Sequence, residues 1–157
     1  MTAARKLRIL WVDEQRPGIQ HFIDVLEFQG HTVEVLEDAT TALQVLQSRA
    51  GEFDAIIIDV MLPHGDDRLL FPNGKTDEGV STGVLLVSYL IAGNPGVFDP
   101  IPDVAKKIMI FSGAGIERIT KKIRKITADN GLHYLEKRLS NDPILVADFI
   151  RSKFSSQ

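Results

Sequence analysis

The stretch 53–63, FDAIIIDVMLP, decides the fold. FDAIII carries apolar residues on both faces, as a strand does when it lies inside a parallel sheet covered from both sides. The run stops at Asp59, and Pro63 follows four places later. A carboxylate closing a core strand is costly unless polar neighbours receive it. The rest of the sequence has to provide those neighbours.

Working outward, LRILWV (7–12) and KIMIFS (107–112) are further short apolar runs. TVEVL (32–36) alternates, which predicts a strand with one more exposed face, and HYLEK (133–137) is a fifth strand. Between them the spacing becomes helical. Ile19, Phe22, Ile23 and Leu26 fall at i, i+3, i+4 and i+7, with Pro17 in the first turn and Gly30 just past the end. TTALQVLQSRA (40–50) predicts a helix capped by Thr40 or Thr41, and STGVLLVSYLIA (81–92) one with Ser81 at its cap. Ile116, Ile119, Ile123 and Ile126 mark a fourth helix. Residues 143–154 form a fifth, with Asp142 as cap and Pro143 at the first helical position. Trp11 is read as core.

Five strands alternating with five helices predict an α/β fold, a doubly wound five-stranded parallel sheet with helices on both faces. In such sheets ligands bind beyond the carboxyl ends of the strands. Strand one ends in Asp13 and Glu14, strand three in Asp59, strand four in Ser112 and strand five in Lys137. All five side chains belong to one rim. Three carboxylates crowded there repel unless a cation sits among them. An all-oxygen ligand set with room for water suits Mg²⁺. Ser112 and Lys137 add a hydroxyl donor and a fixed positive charge, so a tetrahedral anion carried on Asp59 would be surrounded. A carboxylate can act as nucleophile toward phosphorus, and phosphoryl transfer asks mainly for positioning and charge neutralisation.

Composition sets the outer bounds. The 157 residues suit one domain, with 44% hydrophobic and 25% charged residues. A formal charge of −3 gives no argument for direct nucleic-acid binding. The absence of cysteine excludes disulfides and thiolate metal sites. The N-terminal MTAARKLRILWVDEQ resembles neither a secretory signal nor a membrane span, so a cytoplasmic location is expected. His21, His31, His64 and His133 have no ligand spacing and are assigned to no metal. Asp66, Asp67, Asp77 and Glu78 read as solvated loop acids.

With these residues in place the chain resembles a response-regulator receiver domain of two-component signalling. The match lies in VDE (12–14), DVMLP (59–63), FSG (111–113) and YLEKR (134–138), and it spans nearly the whole chain. The resemblance implies a single flavodoxin-like receiver domain over 1–157, strand order 2-1-3-4-5. Asp59 would accept a phosphoryl group from a histidine kinase or histidine phosphotransfer protein. Asp13, Glu14, Asp59 and the backbone carbonyl of Met61 would hold Mg²⁺. Ser112 and Lys137 would bind the phosphoryl oxygens, and Ser112 and Tyr134 would act as the switch pair. Met61 and Ala114 lie where receivers tune phosphate lifetime; neither can position a water, which implies slow self-hydrolysis. The domain would signal by protein contact to a downstream partner, with no enzymatic activity beyond its own phosphorylation and dephosphorylation. Lys121, Lys122, Arg124 and Lys125, with Arg138, are the candidate partner surface, suited to an acidic partner. One helix after the fifth strand leaves no DNA-binding output in this stretch.

The chain departs from the family in three places. Arg138 stands where receivers usually have a proline joined by a cis bond. PHGDDRLLFPNGKTDEG (63–79) is an insert on the active-site side, expected to form a lid or partner-recognition loop. GNPGVFDPIPDVAK (93–106) lengthens the approach to strand four and should lie at the opposite end of the sheet. A phosphatase of the haloacid dehalogenase type would need a second aspartate two places after the nucleophile, and neither Asp13 nor Asp59 has one. A flavodoxin-like cofactor binder would need a donor-rich loop after strand one, where DEQRPG is acidic. The competing reading is a pseudo-receiver that works as a constitutive, phosphorylation-independent interaction module.

Overall fold

The computed structural model describes residues 5–113, 115–138 and 140–155. Strands β1 (Arg8–Val12), β2 (Thr32–Leu36), β3 (Ala55–Ile58), β4 (Ile108–Ser112) and β5 (His133–Glu136) form one sheet in the order β2-β1-β3-β4-β5. Every pairing is parallel, as expected. The helices are α1 (Arg16–Phe28), α2 (Ala39–Arg49), α3 (Asn73–Thr76), α4 (Thr82–Ala92), α5 (Glu117–Asn130) and α6 (Pro143–Phe154). The sequence predicts five; the sixth is α3, a single turn inside the 63–79 insert.

Strand side chains alternate between faces, and the sheet therefore has two cores. Ile9, Trp11, Ala55, Ile57, Met109 and Phe111 pack with α1 and α6. Leu10, Val12, Ile56, Ile58, Ile108 and Ile110 pack with α2, α4 and α5. Trp11 is wholly buried, stacked on Phe22 at 6.2 Å and edge-on to Phe111 at 5.7 Å.

The caps are partly as read. Asp142 accepts from Ile144 N at α6, with Pro143 opening the helix. At α2 the cap is Asp38, not Thr40 or Thr41; its Oδ1 accepts from Thr41 N at 2.7 Å. Ser81 occupies the cap position of α4 but its hydroxyl makes no capping bond.

Thr40 has a different task, because the insert is built into the fold. The carbonyls of Pro63 and His64 accept from Ala39 N and Thr40 N, completing the first turn of α2. The Thr40 hydroxyl donates to His64 O at 2.6 Å and accepts from Asp67 N at 3.0 Å. Gly65 sits against this anchor with φ +79°, and a Cβ there would lie 2.7 Å from Thr40 Cβ. Phe71 is fully buried against Tyr89, whose hydroxyl donates to Leu70 O. His64 Nε2 meets Thr76 Oγ1 at 3.0 Å. A segment read as polar thus contributes a core residue. The 93–106 connection folds back by an Asn94–Phe98 bridge, bonds Ile101 N to Leu90 O and buries Val104 before β4.

Candidate functional site

Each rim residue is the first past its strand, or the last within it, and its backbone is still held by the sheet. Asp13 N donates to Leu36 O, Asp59 N to Val12 O and Lys137 N to Ser112 O, all at 2.9 Å. Asp13, Asp59 and Lys137 continue the side-chain alternation of Trp11, Ile57 and Leu135, so they point to the same side of the sheet. Ser112 comes from the opposite parity, that of Ile110, and reaches Asp59 from the other side.

The contacts follow from this arrangement. Lys137 Nζ donates to Asp13 Oδ2 at 2.5 Å and to Asp59 Oδ2 at 3.2 Å. Ser112 Oγ donates to Asp59 Oδ1 at 2.9 Å, and Met61 N lies 3.4 Å from the same oxygen. Asp13 Oδ1 accepts from Gln15 N. Asp13, Asp59 and Ser112 are buried, Asp59 with 6% exposure, so the carboxylates sit at low dielectric with one shared cation. Burial pushes the Asp59 carboxyl up from its ordinary range; Lys137 opposes the rise and the Asp13 charge adds to it. Burial also works against the Lys137 ammonium, but the Asp59 and Asp13 carboxylates outweigh it and hold its pKa raised.

Four of the predicted residues, Asp13, Asp59, Ser112 and Lys137, therefore meet. Glu14 does not join them: it is exposed and makes no hydrogen bond or ion pair with them among the described residues. Two carboxylates are crowded, not three. Met61, close to Asp59, is 55% exposed. Tyr134 is half-buried, its hydroxyl 3.5 Å from Ser112 O, with burial and then Glu136 raising its pKa. Ala114 lies outside the described residues. Among the described residues no peptide bond is cis. Arg138 instead bonds Glu136 through its side chain and Asn141 through its backbone N. Of the basic run, Lys121 pairs with Glu117 at 3.6 Å and Lys125 with Asp129 at 3.0 Å.

An oxygen donor set fits Mg²⁺ here. The Lys137 ammonium shows that one oxygen of Asp13 and one of Asp59 converge on a single positive charge. Met61 follows Asp59 by two residues and Glu14 adjoins Asp13 in the chain. No three His, Asp or Glu side chains form a metal cluster among the described residues, so the carboxylates that would face the ion are the pair Asp13 and Asp59.

Two features escape a reading of the sequence. Gly83, in the first turn of α4, crosses the segment that follows β3: its N donates to Val60 O at 2.8 Å. A Cβ there would run into Asp59 O and lie 2.7 Å from Val60 Cα. The only hint is a glycine inside a helical pattern, which costs stability unless packing demands it. The second is a cleft of about 210 Å³ beside Ser112, walled by Val60, Met61, Val80, Ile116 and Ile119, assembled from three separate segments.

No protein-family model matches the sequence. A search of curated proteins finds no significant match. Solved structures do match along nearly all of the chain. The receiver domain of Francisella response regulator 1452 is 16% identical, with a TM-score of 0.62, covering 96% of this chain and 98% of that one. The signal receiver domain of a histidine kinase from Syntrophus aciditrophicus is 18% identical at TM-score 0.66, covering 96% and 91%. A response regulator receiver domain protein from Methanospirillum hungatei is 18% identical at TM-score 0.63, covering 97% and 96%. The chain has the fold of the response-regulator receiver domains.

Proposed function

We propose that the protein is a phospho-accepting signalling domain in which Asp59 takes a phosphoryl group from a histidine kinase or histidine phosphotransfer protein. The observation that carries this reading is the convergence of Ser112 Oγ and Lys137 Nζ on the two oxygens of one buried carboxylate. In the transfer, one Asp59 oxygen forms a bond to phosphorus as the bond from phosphorus to the donor's imidazole nitrogen breaks. The donor's imidazole leaves, taking a proton from solvent. Ser112 and Lys137 then turn from the carboxylate to the new phosphoryl oxygens beside it. Asp13, Asp59 and Met61 O, with Glu14, would hold Mg²⁺, which when bound neutralises charge on the equatorial phosphoryl oxygens. Ser112 and Tyr134 would pass the change to a protein partner, and the cytoplasm suits such a relay. Among the described residues no helix is long and apolar enough to cross a membrane.

The test is incubation with acetyl phosphate and Mg²⁺, followed by hydroxylamine. An acyl phosphate is cleaved by hydroxylamine; an ester on serine or a phosphohistidine is distinguished by its different lability. Met61 beside the acceptor has no group to orient a water, so the adduct is expected to outlast seconds. A half-life of seconds would contradict that part. One observation favours the pseudo-receiver reading: Lys137 already pairs with both Asp13 and Asp59. Failure to form any hydroxylamine-labile adduct would select it.

A further inference from the structure

We propose that the groove between α4 and α5 is a docking site for an acidic amphipathic helix of a partner protein. The case begins in the sequence of α4. From Ser81 to Gly93 there is no charged residue, the composition of a helix covered on all sides. Only two sides are covered. Leu86, Val87 and Leu90 face the core, and Tyr89 is enclosed by Phe71 of the insert and by Phe98, each at 5.5 Å.

The third side is open. Val84, Ser88 and Ile91, spaced by four and three residues, floor a groove of about 330 Å³ whose far wall is Ile126 of α5. Its polar groups are already used: Ser88 Oγ donates to Val84 O and Asn130 Nδ2 to Ile126 O. The floor therefore selects apolar side chains, and its spacing fits a helical ridge at i, i+4 and i+7.

Charge selects the flanks of the occupant. Lys122 and Lys125 form the lip on the α5 side. Asp129 shares that lip but is paired with Lys125 at 3.0 Å; no ion pair among the described residues engages Lys122. Lys121 and Arg124 extend the positive surface along α5, against the trend of a chain whose net charge is −3. An occupant with glutamate or aspartate beside its apolar ridge satisfies both floor and lip. The groove is read from its own residues and stands whether or not Asp59 is phosphorylated. Its α4 wall rests on the Asp59–Val60 backbone through Gly83, so an occupant would grip the helix seated on that loop.

The probe is a fluorescein-labelled helical peptide with leucines at i, i+4 and i+7 and glutamates on the flanks. It is titrated into the full chain by anisotropy and located by amide NMR shifts. Saturable binding is expected, with shifts in α4 and α5. The pair Lys122→Glu/Lys125→Glu should weaken it by about tenfold or more, as should Ser88→Glu. Leu145→Glu, on the exposed face of α6, should leave it unchanged. Lys122, Lys125 and Leu145 are exposed and Ser88 is partly buried in the groove floor, and unaltered melting of the variants checks their fold. Equal binding of a control peptide with lysines in place of the flanking glutamates, shifts elsewhere, or no binding at about 1 mM would overturn the proposal. So would self-association in sedimentation that Ser88→Glu abolishes, which would give the groove to a second copy of the chain.

Discussion

Asp59, Asp13 and Lys137 form a buried pair of carboxylates with a single ammonium between them, and the balance among the three sets the chemistry. An acid whose pKa is raised in the folded state holds a proton more tightly there than in the unfolded chain. Ionised Asp59 therefore works against the fold above the ordinary aspartate range, and protonation relieves it as the pH falls. Lys137 limits the rise. We expect the Asp59 carboxyl of the metal-free protein, followed by carbon NMR, to titrate above the ordinary range, and Lys137→Met to move it higher still. A shift to lower pH in that variant would contradict the assigned geometry. Gly83 gives a second prediction at this scale. Gly83→Ala must displace the Asp59–Val60 backbone, at a cost of about 1–3 kcal/mol, visible as a lower urea midpoint. An alanine variant as stable as wild type would mean that α4 does not press on the Asp59–Val60 backbone. The grouping of Asp59 with Asp13, Ser112 and Lys137 was legible in sequence because each falls at a strand end. Gly83 was not, because its role depends on where a later helix crosses.

At the scale of elements, the insert shows what the sequence hides. PHGDDRLLFPNGKTDEG reads as a polar excursion by composition, yet Phe71 is fully buried and the segment caps α2 with its own carbonyls. Periodicity reports a helix or a strand; it does not report one aromatic anchored by an irregular loop. The same blindness misplaced the cap of α2, since Asp38 stands only two residues before the threonines that fit the cap pattern. Phe71→Ala is expected to cost about 3–5 kcal/mol, seen in urea unfolding, and to loosen the insert before the sheet. A cost near that of a surface substitution would return the insert to the status of a free lid. Glu14 illustrates the converse. Its neighbour Asp13 is fixed by the sheet, but the strand's hold ends there and the next side chain turns to solvent.

At the scale of the molecule, the alternation of strands and helices pointed to a parallel sheet and to the rim on which the site is built, because parallel strands leave few ways to connect; the strand order came with the resemblance to receiver domains. Partner identity was never in reach of that reasoning, since it depends on surfaces rather than on the core. The histidines give the whole fold a pH dependence. Burial, aided by Lys6 and Arg151, lowers the pKa of His31, whose Nδ1 accepts from Leu7 N at 2.9 Å. Burial also lowers His64 and His133, helped by Arg68 and Lys153 respectively. The unfolded chain then binds more protons, so stability is full above the ordinary imidazole value of about 6.5 and falls as the pH drops below it. The urea midpoint should be lower at about pH 5.5 than at about pH 7.5, with a flatter slope in His31→Gln. A midpoint that rises on acidification would contradict this.

The central claim is that Asp59 is a phosphoryl acceptor, and intact mass tests it most directly. Wild type and Asp59→Asn are each incubated with a small phosphodonor, with and without Mg²⁺. A single added phosphoryl group is expected on the wild type, dependent on Mg²⁺ and absent from the variant. No adduct on the wild type, or an equal adduct on Asp59→Asn, would contradict it.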